Sequence, residues 1–341
     1  MIGELPAPLR TPVFPDWWPA APAAVAPAGE GVPRITVITP SFNQAPFLEA
    51  TLRSVLSQGY PNLDYIVVDG GSRDGSVEII KRYAAHLSSW VSEPDRGQVD
   101  AILKGLARAT GEWVNWINSD DLLAPGALGR VARASAGVDV VAGTVVNFSA
   151  RGLRDATTCR RLSALSMIRE HLGGAKFHQP GVWLRREALQ QTGINLKRHY
   201  KFDYELLLRY LHRFPRVRYL PEVLAYFRLH EESKTVTQGK NRVNDFKRER
   251  VDILKELAQD ADFSALRGEL ELSARQNAWI MDLAPYAATQ ESRWRALARL
   301  WREVRADPAA RCIRHTRRVA LQLLRRGFWP HALTGDARRR L

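Results

Sequence analysis

Cysteine is almost missing: Cys159 and Cys312 stand alone in a chain of 341 residues, far apart and without metal-ligand spacing. That scarcity excludes a disulfide framework and a thiolate zinc site, and it predicts a reducing, cytoplasmic compartment. Long apolar runs are missing too, and no stretch approaches the roughly 20 residues that span a bilayer. The Pro/Ala-rich residues 1–33 have no basic segment ahead of an apolar one. They read as a poorly ordered lead-in with Trp17 and Trp18 as a docking spot, not as a signal peptide. No G-x-G-x-x-G follows a strand pattern, which argues against a dehydrogenase, and no G-x-x-x-x-G-K-[ST] supports a nucleotide hydrolase.

Acids are scarce in one region. From Ser292 to Leu341 fourteen Arg oppose only Glu303, Asp307 and Asp336, so this tail carries +11 of the formal +14. Trp294, Leu297, Trp301 and Val304 recur there at helical spacing, Pro308 breaks the pattern, and Val319, Leu323, Leu324, Phe328 and Trp329 follow. An Arg-rich amphipathic helix with Trp on its apolar side suits an anionic membrane surface. The alternative is an apolar stripe packed on the main domain beneath a solvated Arg face. No helix-turn-helix, zinc-finger or RNA-binding signature accompanies the arginines, so nucleic acid is not expected as a partner.

With 45% hydrophobic and 25% charged residues, the chain can bury one large α/β core and carry appended pieces. Strand-like and helix-like patterns alternate. Ile35–Thr39 reads as a buried strand, and Phe47, Leu48, Leu52, Val55 and Leu56 then follow helical spacing up to Gly59. Tyr65–Val68, a helix around Val77–Tyr83, Leu87–Val91, a helix over Val99–Ala107 and the apolar run after Gly111 continue the order. Such alternation predicts a mainly parallel sheet with ligands at the carboxyl ends of its strands. Polar clusters sit at four such ends: Ser41 with Asn43, Asp69 to Asp74, Glu93 to Gly97, and Asn118 to Asp121.

Each cluster has its own chemistry. The glycines of Asp69-Gly70-Gly71-Ser72-Arg73-Asp74-Gly75 permit positive φ and close approach to a ligand, and Asp69 can accept hydrogen bonds from a base or ribose. Alternatively, Asp74 caps the helix that begins near Ser76. The adjacent acids Asp120 and Asp121, closing an apolar run, suit a divalent cation.

The segments ITPSFNQAPFLEATLRSVLSQGYPNLDYIVVDGGSRDGS and SEPDRGQVDAILKGLARATGEWVNWINSDDLL together resemble the nucleotide-binding half of the family 2 glycosyltransferases. The resemblance runs from about Ile35 to Leu123 and continues more weakly to Thr235. It implies a GT-A fold, α/β and Rossmann-like with a mainly parallel sheet and a C-terminal helical extension. The implied organisation is a lead-in (1–33), a GT-A domain (34–235, with a nucleotide-sugar half 34–123 and an acceptor half 124–235) and an Arg/Trp-rich extension (236–341).

By the same resemblance Pro40, Ser41, Asn43, Asp69, Gly71, Ser72 and Asp74 hold the nucleobase and ribose. Asp95 and Gly97, with Asp100 and Lys104 on the next helix, border that pocket. Asp120 and Asp121 resemble the DxD-type motif for a metal-bound diphosphate, although Asn118 replaces its usual first acid. Which acid binds directly stays open, and Mn²⁺ or Mg²⁺ is the implied ion. His178 and Gln179 resemble an acceptor-side HQ segment. Asp203 resembles the general base of inverting members, with Glu205 as the substitute; the alternative for both is a helix-start acid favoured by the macrodipole. Phe202 stands where relatives often carry another acid. Tyr226-Phe227-Arg228-Leu229-His230, ahead of Ser233-Lys234-Thr235, resembles a loop that closes over the diphosphate, with His230 and Lys234 near metal or phosphate.

The implied activity is an inverting hexosyl- or N-acetylhexosaminyltransferase using a nucleoside-diphosphate sugar, UDP-linked by resemblance. Its implied acceptor is a glycan or lipid-linked glycan at the cytoplasmic face of the membrane. The competing class is a non-catalytic nucleotide-sugar or glycan-binding relative.

Overall fold

The computed structural model describes residues 4–9, 11, 13–19, 31–230, 243–283, 286, 292–307, 310 and 314–325. It divides into two compact units, Met1–Met167 with Ala175–Asn241, and Ile168–Gly174 with Arg242–Leu341.

The first unit opens with β1 (Ile35–Ser41), α1 (Ala45–Leu56), β2 (Leu63–Asp69), α2 (Ser76–Tyr83), β3 (Ser89–Ser92), α3 (Gln98–Leu106) and β4 (Trp113–Trp116). All seven residues of β1 are buried, as expected for a strand covered on both faces. The apolar stripe of α1 (Leu48, Leu52, Val55) faces the core. β3, β2, β1 and β4 pair side by side and parallel. Ser41 lies opposite Asp69, and Asp69 opposite Ser92, so three strands finish level and deliver their end residues to one rim.

Beyond β4 the sheet becomes mixed. The run after Gly111 does not carry its strand to the acids. β4 stops at Trp116, and a two-residue strand, β5 (Leu122–Leu123), restarts pairing beyond a loop. Then come α4 (Ala127–Ala134), β6 (Val140–Ser149), β7 (Gly152–Thr158), α5 (Ala164–Ile168), β8 (Val182–Arg185), α6 (Arg186–Thr192), α7 (Phe202–Arg213) and β9 (Val217–Arg228). The order is β3-β2-β1-β4-β8-β6-β9-β5, with β7 on β6. β8 is antiparallel to β4 and β6, and β9 is parallel to β6 and antiparallel to β5. Trp113, Trp183, Tyr65 and Tyr83 are among the largest fully enclosed side chains.

The expectation of a poorly ordered lead-in is corrected for its described residues. Trp17 packs edge-on against Phe148 at 4.9 Å and lies 5.0 Å from Tyr226, and Trp18 stacks on Phe14 at 4.5 Å. The Leu9 amide donates to the Glu49 carboxylate, which also accepts from the Tyr83 hydroxyl. The two tryptophans are thus spent on this unit's own core.

Among the described residues the second unit holds four long helices, α8 (Val243–Gln259), α9 (Arg267–Asp282), α10 (Arg293–Ala306) and α11 (Arg314–Arg325). Leu283, Tyr286, Ala296, Leu300, Val319 and Leu323 form a small core, with Leu297 and Val304 packed against it. No helix among the described residues is long and apolar enough to cross a membrane. Cys159 is a buried free thiol; Cys312, Pro308, Phe328 and Trp329 lie outside the described residues.

Candidate active site at the carboxyl ends of the strands

The turn after β2 is fastened by its own carboxylates. Asp69, fully buried, takes the amides of Gly71 (3.0 Å) and Ser72 (2.9 Å) and the hydroxyls of Ser72 and Ser92. Asp74 bridges two helix starts, accepting from the Ala45 amide of α1 (2.8 Å) and from the amide and hydroxyl of Ser76 in α2. Those hydrogen bonds outweigh its slight desolvation and lower its pKa. Asn43 sits at φ 51° and joins the two loops, its amide donating to Ser72 Oγ and its side-chain oxygen accepting from the Arg73 amide. Gly71 needs its φ of 82°, while at Gly70 the Asp95 carboxylate lies close; a Cβ there would fall 2.6 Å from Asp95 Oδ2 and make that side chain shift. Ser41 Oγ, buried at the end of β1 beyond Pro40, has no hydrogen-bond partner among the described residues. A ligand group at this rim would satisfy it.

The next loop is braced in the same way. Asp95 accepts the Gly97 amide at 2.7 Å, and Asp100 accepts from the Arg96 amide and guanidinium, which lower its pKa. Lys104 binds Glu93 at 2.8 Å and the Pro94 carbonyl at 3.0 Å. Asp100 and Lys104 therefore tie this loop to α3.

The loop after β4 treats its two acids differently. Asp121 is fully buried, accepting from the Arg228 amide (2.9 Å) and the Asn118 side-chain nitrogen (3.2 Å). Burial first, and the Asp120 charge second, push its carboxyl well above the usual range. As arranged, each of its oxygens accepts one hydrogen bond from the protein. Asp120 is partly exposed and meets His230 Nε2 at 2.9 Å.

Thr51 and Ser54, which the sequence reading passed over, hold this loop together with Arg228 of the segment read as closing over the diphosphate. The buried Thr51 hydroxyl of α1 bridges the carbonyls of Ser119 (2.9 Å) and Asp121 (2.7 Å), and Ser54 Oγ accepts the Leu123 amide. Arg228 donates from Nε to the Asp120 carbonyl (2.8 Å), its guanidinium between the rings of Phe47 and Phe148. Hydroxyls within the apolar stripe of α1 were the available signal for the first two. Arg228 was placed near the diphosphate by its segment, but its partners lie more than 100 residues away and had no signal.

The acceptor-side residues come to the same edge. Gln179, in a one-turn helix before β8, donates to Asn115 Oδ1 (2.7 Å) and the Trp116 carbonyl (3.0 Å). His178 lies against Phe227 at 4.4 Å, and burial pushes its pKa down to about 4. Phe202 packs on Trp116 at 5.9 Å, bringing the first turn of α7, with Asp203, to the end of β4. Asp203 accepts the Tyr204 amide at 2.7 Å. Glu205 is buried and gripped by Arg198 (2.5 Å) and Arg209 (3.1 Å), which fits the helix-start alternative better than a substitute base. Ser233, Lys234 and Thr235 lie outside the described residues.

Residues 36–193 match the profile of Glycosyl transferase family 2. Over that stretch, a little under half of its length, the chain is similar to that family. An uncharacterized glycosyltransferase of Mycobacterium tuberculosis, Rv1514c, is 36% identical over 121 residues, or 35% of this chain and 42% of the relative. The Bacillus subtilis protein TuaG, a putative teichuronic acid biosynthesis glycosyltransferase, is 37% identical over 92 residues, 26% of this chain and 36% of that one. The alignments thus span less than half the length of these curated relatives. Among solved structures, S. aureus TarS 1-349 in complex with UDP-GlcNAc superposes with a TM-score of 0.61 at 17% identity, covering 86% of this chain and 92% of that one. The mannosyltransferase PcManGT from Pyrobaculum calidifontis, in complex with GDP-Man and Mn²⁺, gives 0.55 at 20% identity, covering 92% and 91%. At such identities the likeness shows the fold alone, which is GT-A.

The donor set for a cation fits in part. Among the described residues no three His, Cys, Asp or Glu side chains cluster, so the Asp120 carboxylate and the His230 imidazole are the protein groups at hand. A hard carboxylate beside one imidazole suits Mn²⁺ or Mg²⁺ when phosphates and water complete the shell.

Proposed function

We propose that this chain is an inverting glycosyltransferase that moves a hexosyl or N-acetylhexosaminyl unit from a nucleoside-diphosphate sugar, UDP-linked, to a hydroxyl of a glycan or lipid-linked glycan. The work belongs to synthesis of a cell-surface polymer at the cytoplasmic face of a membrane. Residues 34–235 are the catalytic domain, with the donor in 34–123 and the acceptor in 124–235; 236–341 is the extension. The observation that carries the reading is the division of the acidic pair, with Asp121 locked inside by Arg228 and Asp120 left on the rim beside His230.

In this scheme the turns after β1, β2 and β3 form a stiff cradle for base and ribose, with the Ser41 hydroxyl and the backbone near Gly71 and Gly97 as contacts. Asp120 and His230 would hold Mn²⁺ or Mg²⁺, which when bound neutralises charge growing on the departing diphosphate. Asp203 takes the proton from the acceptor hydroxyl as its oxygen bonds to the anomeric carbon and the carbon–phosphate oxygen bond breaks, inverting the centre. Gln179 and His178 shape the acceptor side.

The test is a panel of sugar nucleotides with Mn²⁺, scoring thermal stabilisation and release of nucleoside diphosphate beside an Asp120→Asn variant. One donor should stabilise the protein in a metal-dependent way and be slowly hydrolysed, with both effects lost in the variant. Binding without turnover, even with a panel of acceptor sugars, would instead support the non-catalytic relative.

A further inference from the structure

The sequence pattern groups Trp294, Leu297, Trp301 and Val304 as one apolar stripe, but the structure splits it. Leu297 and Val304 turn inward, whereas Trp294 and Trp301 stand 62% and 60% exposed. Seven positions apart, these two rings share one side of α10, and the exposed Arg295, Arg302 and Arg305 flank them. α11 repeats the design: its inward face supplies Val319 and Leu323 to the core, while Leu321 and Leu324 stand 52% and 43% exposed beside Arg317 and Arg318. α11 contains no acid. Each helix thus supplies apolar side chains to the core and also leaves large apolar side chains exposed among arginines.

We propose that the outward faces of α10 and α11 dock on an anionic lipid bilayer. Guanidinium groups pair with lipid phosphates, and indoles settle at headgroup level with an apolar body below and a polar edge above. Arg293 and Arg305 lie over the rings of Trp294 and Trp301, at 4.7 and 5.0 Å, so charge and ring are carried at one depth. Exposed Leu321 and Leu324 are what separates a bilayer from a nucleic acid. Leucine gains nothing from phosphates or base stacking, whereas the acyl boundary rewards it. The proposal is independent of donor chemistry, because it rests only on the surface of the second unit.

The test is co-sedimentation of the full chain with phosphatidylcholine vesicles, with and without phosphatidylglycerol, at low and high salt. Truncation is a poor choice, since removing α10 and α11 uncovers Leu283 and Tyr286. Paired changes at exposed positions serve instead: Trp294→Ser with Trp301→Ser, Leu321→Ser with Leu324→Ser, and Arg302→Glu with Arg305→Glu, each checked by thermal melting. The wild type should bind only the anionic vesicles, and high salt should weaken it. Each pair should lower partitioning by about tenfold or more without moving the melt. Failure of the wild type to sediment with anionic vesicles overturns the proposal, as does unchanged binding by the Trp and Leu pairs. Displacement from vesicles by an oligonucleotide, with the Leu pair without effect, would assign the surface to nucleic acid and reject the bilayer.

Discussion

The turn after β2 and the loop after β4 use carboxylates in opposite ways. After β2 each aspartate is already filled by the protein: Asp69 by two amides and two hydroxyls, Asp74 by two helix starts. After β4 the work is divided between neighbours, with Asp121 spent inside and Asp120 kept at the rim. The first loop therefore contributes shape, and its acids act on a ligand through the backbone they hold. The second contributes charge, which a buried neighbour aims. Asp203 and Glu205 lie two residues apart on one helix and differ in burial, Glu205 being enclosed with Arg198 and Arg209 while Asp203 is half-buried. Rim acids of one type are thus not interchangeable, and burial separates them.

The largest effects come from breaking the Asp203 and Glu205 pair. Asp203→Asn should cut transfer about 10²- to 10⁴-fold in kcat while donor binding and the melting temperature hold. Glu205→Ala should do the reverse, costing about 3–5 kcal/mol because a buried ion pair with Arg198 is broken. Stopped assays and denaturant unfolding of the two variants separate the roles; a Glu205 variant that melts normally but is inert would erase the distinction.

His178 sharpens the comparison from the packing side. Its pKa of about 4 in the folded state lies below the ordinary 6.5. Below 6.5 the unfolded chain takes up a proton that the native chain refuses, so this contribution is present above 6.5 and is lost as pH falls towards 4. It amounts to about 3 kcal/mol at most. Urea unfolding against pH should lose that slope in His178→Gln, and an unchanged slope would place the titration elsewhere.

Arg228→Ala removes the hold on the Asp120 carbonyl and the contact between Phe47 and Phe148, but keeps the backbone bond to Asp121. Activity should fall about tenfold, mainly through KM for the donor, a loss of about 1.4 kcal/mol. Trp17→Ala, two contacts further out through Phe148, should cost about 1 kcal/mol of stability with activity near normal.

Much of this was legible in the chain. The β1 to β4 alternation has strong local periodicity, and level strand ends follow from parallel pairing of similar short strands, so the four polar clusters were read onto one rim. What the sequence could not convey was direction. Asp120 and Asp121 are adjacent and chemically identical, and only the distant β9, which brings Arg228 against Asp121, decides which one turns inward. Glu205 was ambiguous for the same reason, since Arg198 precedes it across an irregular loop. Trp17 and Trp18 read as a spare docking patch because their partners, Phe148 and Tyr226, come from strands far along the chain.

The central claim is that Asp120 carries the charge and Asp121 carries the loop. Titrating Mn²⁺ with the sugar nucleotide that proves to be the donor into wild type, Asp120→Asn and Asp121→Asn, with melting curves recorded in parallel, tests it most directly. The account predicts that Asp120→Asn abolishes metal-dependent binding, by more than about 100-fold, at an unchanged melting temperature. Asp121→Asn should shift the melt and retain metal-dependent binding at reduced affinity. Loss of metal dependence in Asp121→Asn, with Asp120→Asn still coupled to Mn²⁺, would contradict it.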